Sequence, residues 1–262
     1  MAADSPTLHC FKRKNKAYRQ ELPGGVDLWL MLIPPGEFMM GAPKDEPDSS
    51  ISERPQHQVQ VSQFMMGQTP VTQAQWRSVV QNIAKVDRDL TPNPSRFEGD
   101  NRPVERVSWE DAVEFCNRLS QLTGMHYKLP SEAQWEYACR AGTETAYHYG
   151  HQLTDELANY GNKIKETTDV KSYPANRWGL YDMHGNVWEW CEDDWHSYTE
   201  DPTDDHAWLD SGANKDKNKM LRGGSWIVNP RHCRSAYRGR SREYRDFNIG
   251  FRVCCVPPRT GS

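Results

Sequence analysis

The sequence contains no apolar run long enough to cross a membrane. A membrane-spanning helix needs about 20 consecutive apolar residues, but only 36% of this 262-residue chain is hydrophobic. The opening stretch, MAADSPTLHCFKRKNK, also lacks the apolar centre of a secretory signal peptide. We therefore expect a cytoplasmic protein with no membrane span.

Cysteine pairs with the spacing of metal or redox motifs are missing as well. The seven cysteines stand at irregular spacing and form no C-x-x-C pair, so the sequence supports neither a zinc ribbon nor a thioredoxin-like motif. In a reducing compartment we expect most of them to be free thiols that fill small core sites. They are Cys10, Cys116, Cys139, Cys191, Cys233, Cys254 and Cys255.

Familiar catalytic and nucleotide-binding patterns are absent too. Ser225 follows two glycines without the G-x-S-x-G frame of a nucleophile elbow, and these glycines do not make a phosphate loop. His184, His196 and His206 lack helical spacing and a fixed carboxylate partner, so we interpret them as turn or surface histidines. The net charge of −4 and the lack of a recognisable reading helix argue against nucleic acid as a partner.

Helix signals are few but well defined. Thr72, Ser108 and Ser131 each precede a helical pattern and have a capping partner three residues later. Gly124 and Gly142 mark the ends of the second and third helices. No confident helix follows Gly142. Eighteen glycines and seventeen prolines predict that much of the remaining chain is turns and loops.

Strand signals occupy the N-terminal part of the chain. Residues 26–41 predict two strands separated by a Pro-Pro-Gly turn, and residues 57–64 alternate as a half-buried strand does. The acidic stretch 42–54 predicts a surface loop. No linker divides the chain, so we predict one loop-rich α+β domain over residues 26–257, with small sheets, after a leader at residues 1–25 that contributes little core.

The segment 221–253 has no regular period. Two frames, RGGSW at 222–226 and NIGFRV at 248–253, enclose aromatic residues that alternate with arginines. Aromatic residues and arginine dominate binding hot spots, so the segment is either a ligand-facing surface or an exposed loop that its arginines merely solvate. The acidic run 182–210 precedes it. The acidic run and the arginine-rich segment could pair with each other within the molecule. Alternatively, the acidic run binds a cation and the arginine-rich segment binds an acidic or polar ligand.

The most chemically loaded stretch is DMHGNVWEW, which begins at Asp182. Asp182 and Glu189 offer carboxylates, and Gly185 permits a tight turn in which backbone carbonyls can converge. Calcium binds this mixture of oxygens, although the spacing is not that of an EF-hand. The alternative is a tight turn in which Trp188 and Trp190 are buried and the two acids are solvated.

Six motifs together resemble the formylglycine-generating enzyme (sulfatase-modifying factor) family. They are PVTQAQW (70–76), RPVERVSWEDAVEFCNRLS (102–120), LPSEAQWEYACRAG (129–142), GLYDMHGNVWEW (179–190), LRGGSW (221–226) and NIGFRV (248–253). The resemblance runs from about Val26 to Val256. It implies a single compact domain of C-type-lectin-like topology, low in regular secondary structure and stabilised by calcium.

The chain departs from this family at the residue that its oxidase chemistry needs most. The family's enzymes bind copper with two cysteines and use oxygen to convert a substrate cysteine to formylglycine. The resemblance places those positions at Val228 and Cys233. Soft copper(I) generally requires both thiolates, so we expect neither copper nor this activity. If the chain were such an oxidase or a related oxygenase acting on protein or thiol substrates, Cys233 would be its catalytic residue.

The family's calcium positions are better matched. The resemblance implies a first calcium site at Asp182, Gly185, Val187 and Glu189. It implies a second site at Asn159 and Tyr160, which also needs an acidic residue from a loop that differs here at 162–169. We therefore expect structural calcium at the first site.

The segment between the two frames also resembles the variable regions of proteins diversified by bacterial diversity-generating retroelements. These elements mutate adenines copied from a template, so that Asn codons of the template come to encode a restricted set of residue types. Most positions between the two frames hold residues of that set. We predict a non-catalytic module that binds a protein or another macromolecule through a variable region at about 226–248. The predicted ligand-binding residues are Trp226, Ile227, Val228, Asn229, His232, Tyr237, Gly239, Ser241, Tyr244, Asp246 and Phe247.

Overall fold

The computed structural model describes residues 12–196, 203–209, 218–242 and 245–256. Its α-helices are α1 (Gln73–Asn82), α2 (Trp109–Thr123) and α3 (Glu132–Arg140). Its strands are β1 (Ala17–Leu22), β2 (Val26–Ile33), β3 (Gly36–Met40), β4 (His57–Val61), β5 (Phe64–Gly67), β6 (Tyr127–Lys128), β7 (Trp188–Asp194), β8 (Lys219–Arg222), β9 (Gly239–Ser241), β10 (Ile249–Gly250) and β11 (Cys254–Cys255). Two short 3₁₀ helices lie at Ile51–Glu53 and Pro230–Cys233.

The strands form three small sheets within one compact α+β domain. One sheet has the order β1-β2-β5-β11-β6, the second has the order β10-β7-β8-β9, and β3 pairs with β4. All described pairs are antiparallel except β10 with β7. The second sheet therefore brings the two frames together, because β8 ends at Arg222 and β10 begins at Ile249.

The helices begin where the capping residues predicted. The side chains of Thr72, Ser108 and Ser131 each accept a hydrogen bond from the backbone three residues later, and all three make complete capping boxes. α2 ends at Gly124, as predicted. α3 ends one residue earlier than predicted, because Ala141 already adopts the left-handed conformation with a φ of 46°.

The core is built from large aromatic side chains. Trp76 stacks on Phe115 with ring centroids 5.5 Å apart, and both rings meet Phe251 edge-on. Trp135 and Trp190 are fully buried between the helices and the second sheet. These few side chains explain how a chain with modest hydrophobic content closes a core, because each buries a large apolar area.

Three sequence-based expectations need correction. The presumed leader contains β1, which pairs along its whole length with β2 and buries Leu22. The stretch 57–64 is not one strand: β4 and β5 lie in different sheets, separated at Ser62-Gln63. The stretch 42–54 is not merely a surface loop, because Glu53 is fully buried within it.

Candidate ligand-binding cleft

The second sheet supplies the floor of a cleft. Trp188 begins β7, and the neighbouring strands contribute Leu221 and Ile249. Gly239 in β9 lies directly over this floor: a Cβ atom there would sit 3.0 Å from the Trp188 ring and 3.2 Å from the Leu221 side chain. The absence of a side chain at Gly239 therefore keeps the floor open.

The cleft has a volume of about 600 Å³. It is lined by Ser52, Trp188, Trp195, Leu221, Tyr237, Arg238, Gly239, Arg240, Ser241, Asp246, Asn248 and Ile249. Four of the predicted ligand-binding residues are in this set: Tyr237, Gly239, Ser241 and Asp246. These four lie around a floor that the second sheet provides.

Further predicted residues form a ridge beside the cleft, namely Ile227, Val228, Asn229 and His232. Ile227 is 37% exposed, and Asn229 is exposed where its side chain caps the short helix Pro230–Cys233. His232 is half-buried, and its ring centroid lies 4.7 Å from that of Tyr237. Tyr237 thus joins the ridge to the cleft. Val228 is half-buried in the same ridge.

Trp226 differs from its predicted role. It is only 4% exposed and lies between the rings of Phe97 and Phe247, with centroids 5.5 Å and 5.8 Å away. Trp226 therefore supports the surface from below and does not present itself to a ligand. Phe247 is half-buried beneath the guanidinium group of Arg96. Tyr244 lies outside the described residues.

Most arginines of the segment are structural, which corrects the view that they all face a ligand or solvate a loop. The guanidinium groups of Arg234, Arg238 and Arg245 each make paired hydrogen bonds to one carboxylate. Their partners are Glu53, Glu132 and Asp111 respectively. Arg222 and Arg252 of the frames pair with Glu136 and Glu189, and all four side chains are fully buried. These arginines fasten the variable segment to the scaffold.

The sequence did not reveal two residues near the cleft. Ser52 lines it, and the neighbouring Ile51 is 89% exposed. The backbone carbonyl of Ser52 accepts a hydrogen bond from Arg238. Trp195, which also lines the cleft, lies beneath the guanidinium group of Arg240 at 4.3 Å. The sequence offers one sign of this surface: Ile51 is an isolated apolar residue within the acidic, polar stretch 42–54.

Cys233 lies beneath the ridge and does not line the cleft. Its side chain is fully buried in a small cluster with Tyr147 and Tyr160, and burial raises the pKa of its thiol. Its carbonyl accepts a hydrogen bond from Nδ1 of His184 at 2.7 Å. Burial lowers the pKa of His184 to about 4, so this imidazole is neutral near pH 7. The arrangement favours a packed thiol over a thiolate nucleophile, because the thiolate is the reactive form.

The turn at 182–189 contains one carboxylate suited to a cation and one that is already engaged. Burial raises the pKa of Asp182 to about 6, and its Oδ1 is buried without a hydrogen-bond partner among the described residues. Both oxygens of Glu189 accept hydrogen bonds from Arg252, and one also accepts from Trp135. Among the residues that the structure describes, no group of three or more His, Cys, Asp or Glu side chains could hold a metal.

The predicted second calcium position lies against this turn. The carbonyl of Asn159 accepts a hydrogen bond from the backbone of Asn186, and the Oδ1 of Asn159 is buried without a partner in the described part of the chain. Tyr160 is buried, and its hydroxyl donates to the carbonyl of Leu153. Gly185 approaches Asn159 so closely that a Cβ atom would clash with the Asn159 carbonyl.

The chain is similar to known proteins in sequence and in fold. The sequence profile described as the sulfatase-modifying factor enzyme 1-like domain matches residues 25–256. The formylglycine-generating enzyme of Streptomyces coelicolor is 30% identical over 286 aligned positions, which cover 84% of this chain and 87% of that enzyme. No helix among the described residues is long and apolar enough to span a membrane.

Two solved structures share the fold over nearly the whole chain. PvdO from Pseudomonas aeruginosa superposes with a TM-score of 0.81 at 29% identity, covering 94% of this chain and all of PvdO. Treponema denticola variable protein 1 superposes with a TM-score of 0.76 at 26% identity, with the same coverage. Together with the profile match, these similarities show that the chain belongs to the formylglycine-generating enzyme (sulfatase-modifying factor) family.

Proposed function

We propose that this protein is a non-catalytic binding module that presents a variable surface, at about 226–248, to a protein or another macromolecule. One observation carries the proposal: four predicted variable positions line one cleft of about 600 Å³, and the floor of this cleft is the buried second sheet. Tyr237, Ser241 and Asp246 can change without removing the core beneath them. Gly239, although predicted to be variable, has little room for a side chain, because a Cβ atom would lie 3.0 Å from the Trp188 ring. The similarity to a structure named a variable protein supports the same function.

The scaffold reduces the cost of binding at this cleft. Arg238 bridges Glu132, the Ser52 carbonyl and the His196 carbonyl, which holds three chain segments around the cleft. A surface that is already ordered loses little conformational entropy when a partner docks. Tyr237 stands half-buried against Trp188, with ring centroids 5.8 Å apart, and offers a rigid aromatic anchor.

We expect Tyr237→Ala to weaken ligand binding about 30-fold or more, which corresponds to the loss of about 2 kcal/mol for a hot-spot aromatic residue. Immobilised protein would first select peptides from a displayed random library, and the affinities of the enriched peptides would then be measured for each variant. Tyr18→Ala is the matched control, because Tyr18 is 43% exposed on β1.

Two outcomes would contradict the proposed function. One is a selection that enriches no peptide above background. The other is a set of enriched peptides that bind Tyr237→Ala as tightly as the wild type. Thermal denaturation of Tyr237→Ala would be run alongside, so that a loss of folding is not mistaken for a loss of contact.

The alternative function is an oxidase or oxygenase, which the family membership favours. Three observations weigh against it: Val228 occupies one of the two expected copper positions, Cys233 is fully buried, and Cys233 does not line the cleft. Copper titration and oxidation of a cysteine-containing peptide would be compared for the wild type and Cys233→Ser. Copper-dependent turnover that disappears in the variant would overturn the binding-only proposal.

We also propose that calcium binds at the turn containing Asp182. The buried Oδ1 of Asp182 has no hydrogen-bond partner among the described residues and fits a hard cation, and the backbone carbonyls at Gly185 and Val187 would complete the first site. The Oδ1 of Asn159, buried and equally without a partner in the described part of the chain, would belong to the second site. Glu189 fits less well, because Arg252 and Trp135 already occupy its oxygens. The bound ion would stabilise the turn that precedes β7.

Calcium at about 100 times its dissociation constant is expected to stabilise the protein by about 2.7 kcal/mol, since it binds the folded state. For a domain of this size this would raise the melting temperature by roughly 5–10 °C. Melting temperatures would be compared in calcium and in a chelator. Asp182→Asn should remove most of the difference, whereas Asp45→Asn, at an exposed position outside both predicted calcium sites, should retain it. An equal response in the wild type and Asp182→Asn would exclude this site.

The six described cysteines are buried free thiols. This supports a reducing compartment and, with it, our proposal of a cytoplasmic location.

A further inference from the structure

Three arginines differ from the buried ones: Arg240 lines the cleft, Arg231 lies in the short helix Pro230–Cys233, and Arg242 follows the lining residue Ser241. Arg231, Arg240 and Arg242 are exposed, and among the described residues none of them forms an ion pair with a carboxylate. The cleft's described lining contains one acid, Asp246, whose Oδ1 already accepts a hydrogen bond from the backbone of Phe247. The described rim therefore carries an excess of positive charge.

We propose that the cleft binds an acidic peptide segment of a partner protein, with carboxylates against Arg231, Arg240 and Arg242 and an apolar side chain against Tyr237 and Trp188. This inference rests on the proposed binding function and specifies its partner. Charge complementarity at the rim supports it: the chain supplies a carboxylate for each buried arginine, but the described residues supply none for these three.

Arg240 is the best-placed of the three for a carboxylate. Its guanidinium carbon lies 4.3 Å from the centroid of the Trp195 ring, a cation–π contact that restrains the group, and the side chain is exposed, so its N–H donors can reach a ligand. Carboxylates bind that edge through two parallel hydrogen bonds. Arg231 is held in a different way, since its Nε donates to Nε2 of His232 at 3.1 Å. Burial, and then the nearby Arg231 and Arg234, lower the pKa of His232, so the imidazole is neutral and can accept this bond near pH 7.

The apolar part of the surface indicates that the segment is not purely acidic. Ile51 is 89% exposed next to Ser52 at the cleft wall, and Tyr237 and Trp188 provide aromatic faces within the cleft. A large apolar side chain among acidic residues would satisfy both kinds of contact. Nucleic acid would satisfy the arginines through its phosphates, but it would leave Ile51 without an apolar partner.

The experiment uses the full chain and three fluorescent probes. The first is a glutamate-rich peptide with one central tryptophan, the second has glutamine at every glutamate, and the third is a single-stranded thymidine oligonucleotide. Binding would be followed by fluorescence anisotropy at low and high salt. We expect the acidic peptide alone to bind, with an affinity that falls as salt rises, because exposed charges are screened.

The triple variant Arg231→Gln, Arg240→Gln, Arg242→Gln should bind the acidic peptide about tenfold more weakly at low salt, since each exposed ionic contact contributes modestly. Arg177→Gln is the control, because Arg177 is exposed but does not line the cleft. Loss of affinity in the triple variant with Arg177→Gln unchanged would support the inference.

Three results would overturn it: equal binding of the glutamate and glutamine peptides, tighter binding of the oligonucleotide, or no effect of the triple variant. The library selection separates these from failure of the proposed function. Enriched peptides that depend on Tyr237 but carry no net negative charge would preserve the binding function and reject the acidic partner. Absence of any Tyr237-dependent peptide would reject the binding function itself.

Discussion

Replacing Glu136 with alanine is expected to lower the free energy of unfolding by about 3–5 kcal/mol, because it leaves the buried Arg140 without its carboxylate and removes the nearer of the two carboxylates beside Arg222. One oxygen of Glu136 accepts hydrogen bonds from Arg140 and the backbone of Gly41, and the other accepts from Arg222. Glu136 and Arg222 are fully buried. Burial would raise the pKa of Glu136, but Arg140 and Arg222 outweigh it and hold the pKa below its usual value.

This carboxylate also controls the path of the variable segment. Arg222, which it holds, donates to the backbone carbonyls of Ser235, Ala236 and Tyr237. These carbonyls lie just before β9, where the cleft wall begins. Loss of Glu136 should therefore disturb the position of Tyr237 as well as global stability, and peptide binding should weaken even at temperatures where the variant is folded.

Denaturant unfolding and thermal melting would measure the effect. The melting temperature of Glu136→Ala should fall by roughly 10–15 °C for a domain of this size. Glu144→Ala is the control: Glu144 is exposed, and such substitutions usually change stability by less than about 0.5 kcal/mol. A double-mutant cycle with Arg222→Met should show coupling between the two sites. Additive effects, or a loss below about 1 kcal/mol, would contradict a structural role for this pair.

The helix starts could be predicted because their signals are local. A capping box joins residues three positions apart, so Thr72, Ser108 and Ser131 reveal it in the sequence itself. The buried face of α2 also follows the helical period, with Ala112, Phe115, Cys116 and Leu119 buried, whereas Leu122 near the helix end is 36% exposed. β1 was missed because five of its six residues are exposed or polar, and its strand geometry depends on pairing with β2.

The cleft could be predicted only in part. Tyr237, Gly239, Ser241 and Asp246 were predicted from the frame around them and from their residue types, and they do line one cleft. The distinction between buried and exposed arginines could not be predicted, because it depends on carboxylates far away in the chain. Glu53, for example, lies 181 residues from its partner arginine.

The same limit applies to the turn at 182–189. Sequence resemblance placed Asp182 and Glu189 together as calcium ligands, and they do occupy one buried region. It did not reveal that Arg252, 63 residues further along, makes two hydrogen bonds to Glu189. A carboxylate that neutralises a buried arginine has less capacity to neutralise a cation, so Asp182 becomes the residue to test.

Replacing Arg234 with methionine is expected to cost about 3–5 kcal/mol, because it leaves two buried carboxylates without a cation. Arg234 makes two hydrogen bonds to Glu53, a third to Glu46 and a fourth to the carbonyl of Asp48. Its own side chain is 3% exposed, and those of Glu53 and Glu46 are 0% and 5% exposed. The substitution therefore removes both ion pairs by which Arg234 connects residues 46–53 to the variable segment.

The effect should extend to the cleft, since residues 46–53 carry Ile51 and Ser52. Arg231→Met is the matched control, because Arg231 belongs to the same segment but is exposed, and its loss should change stability by less than about 0.5 kcal/mol. Protease cleavage within 42–54, followed over time, would report local release. We expect faster cleavage in Arg234→Met and wild-type rates in Arg231→Met. If Arg234→Met melts like the wild type and resists protease equally, residues 46–53 are held by their other contacts, and Arg234 is not what connects the variable segment to this wall of the cleft.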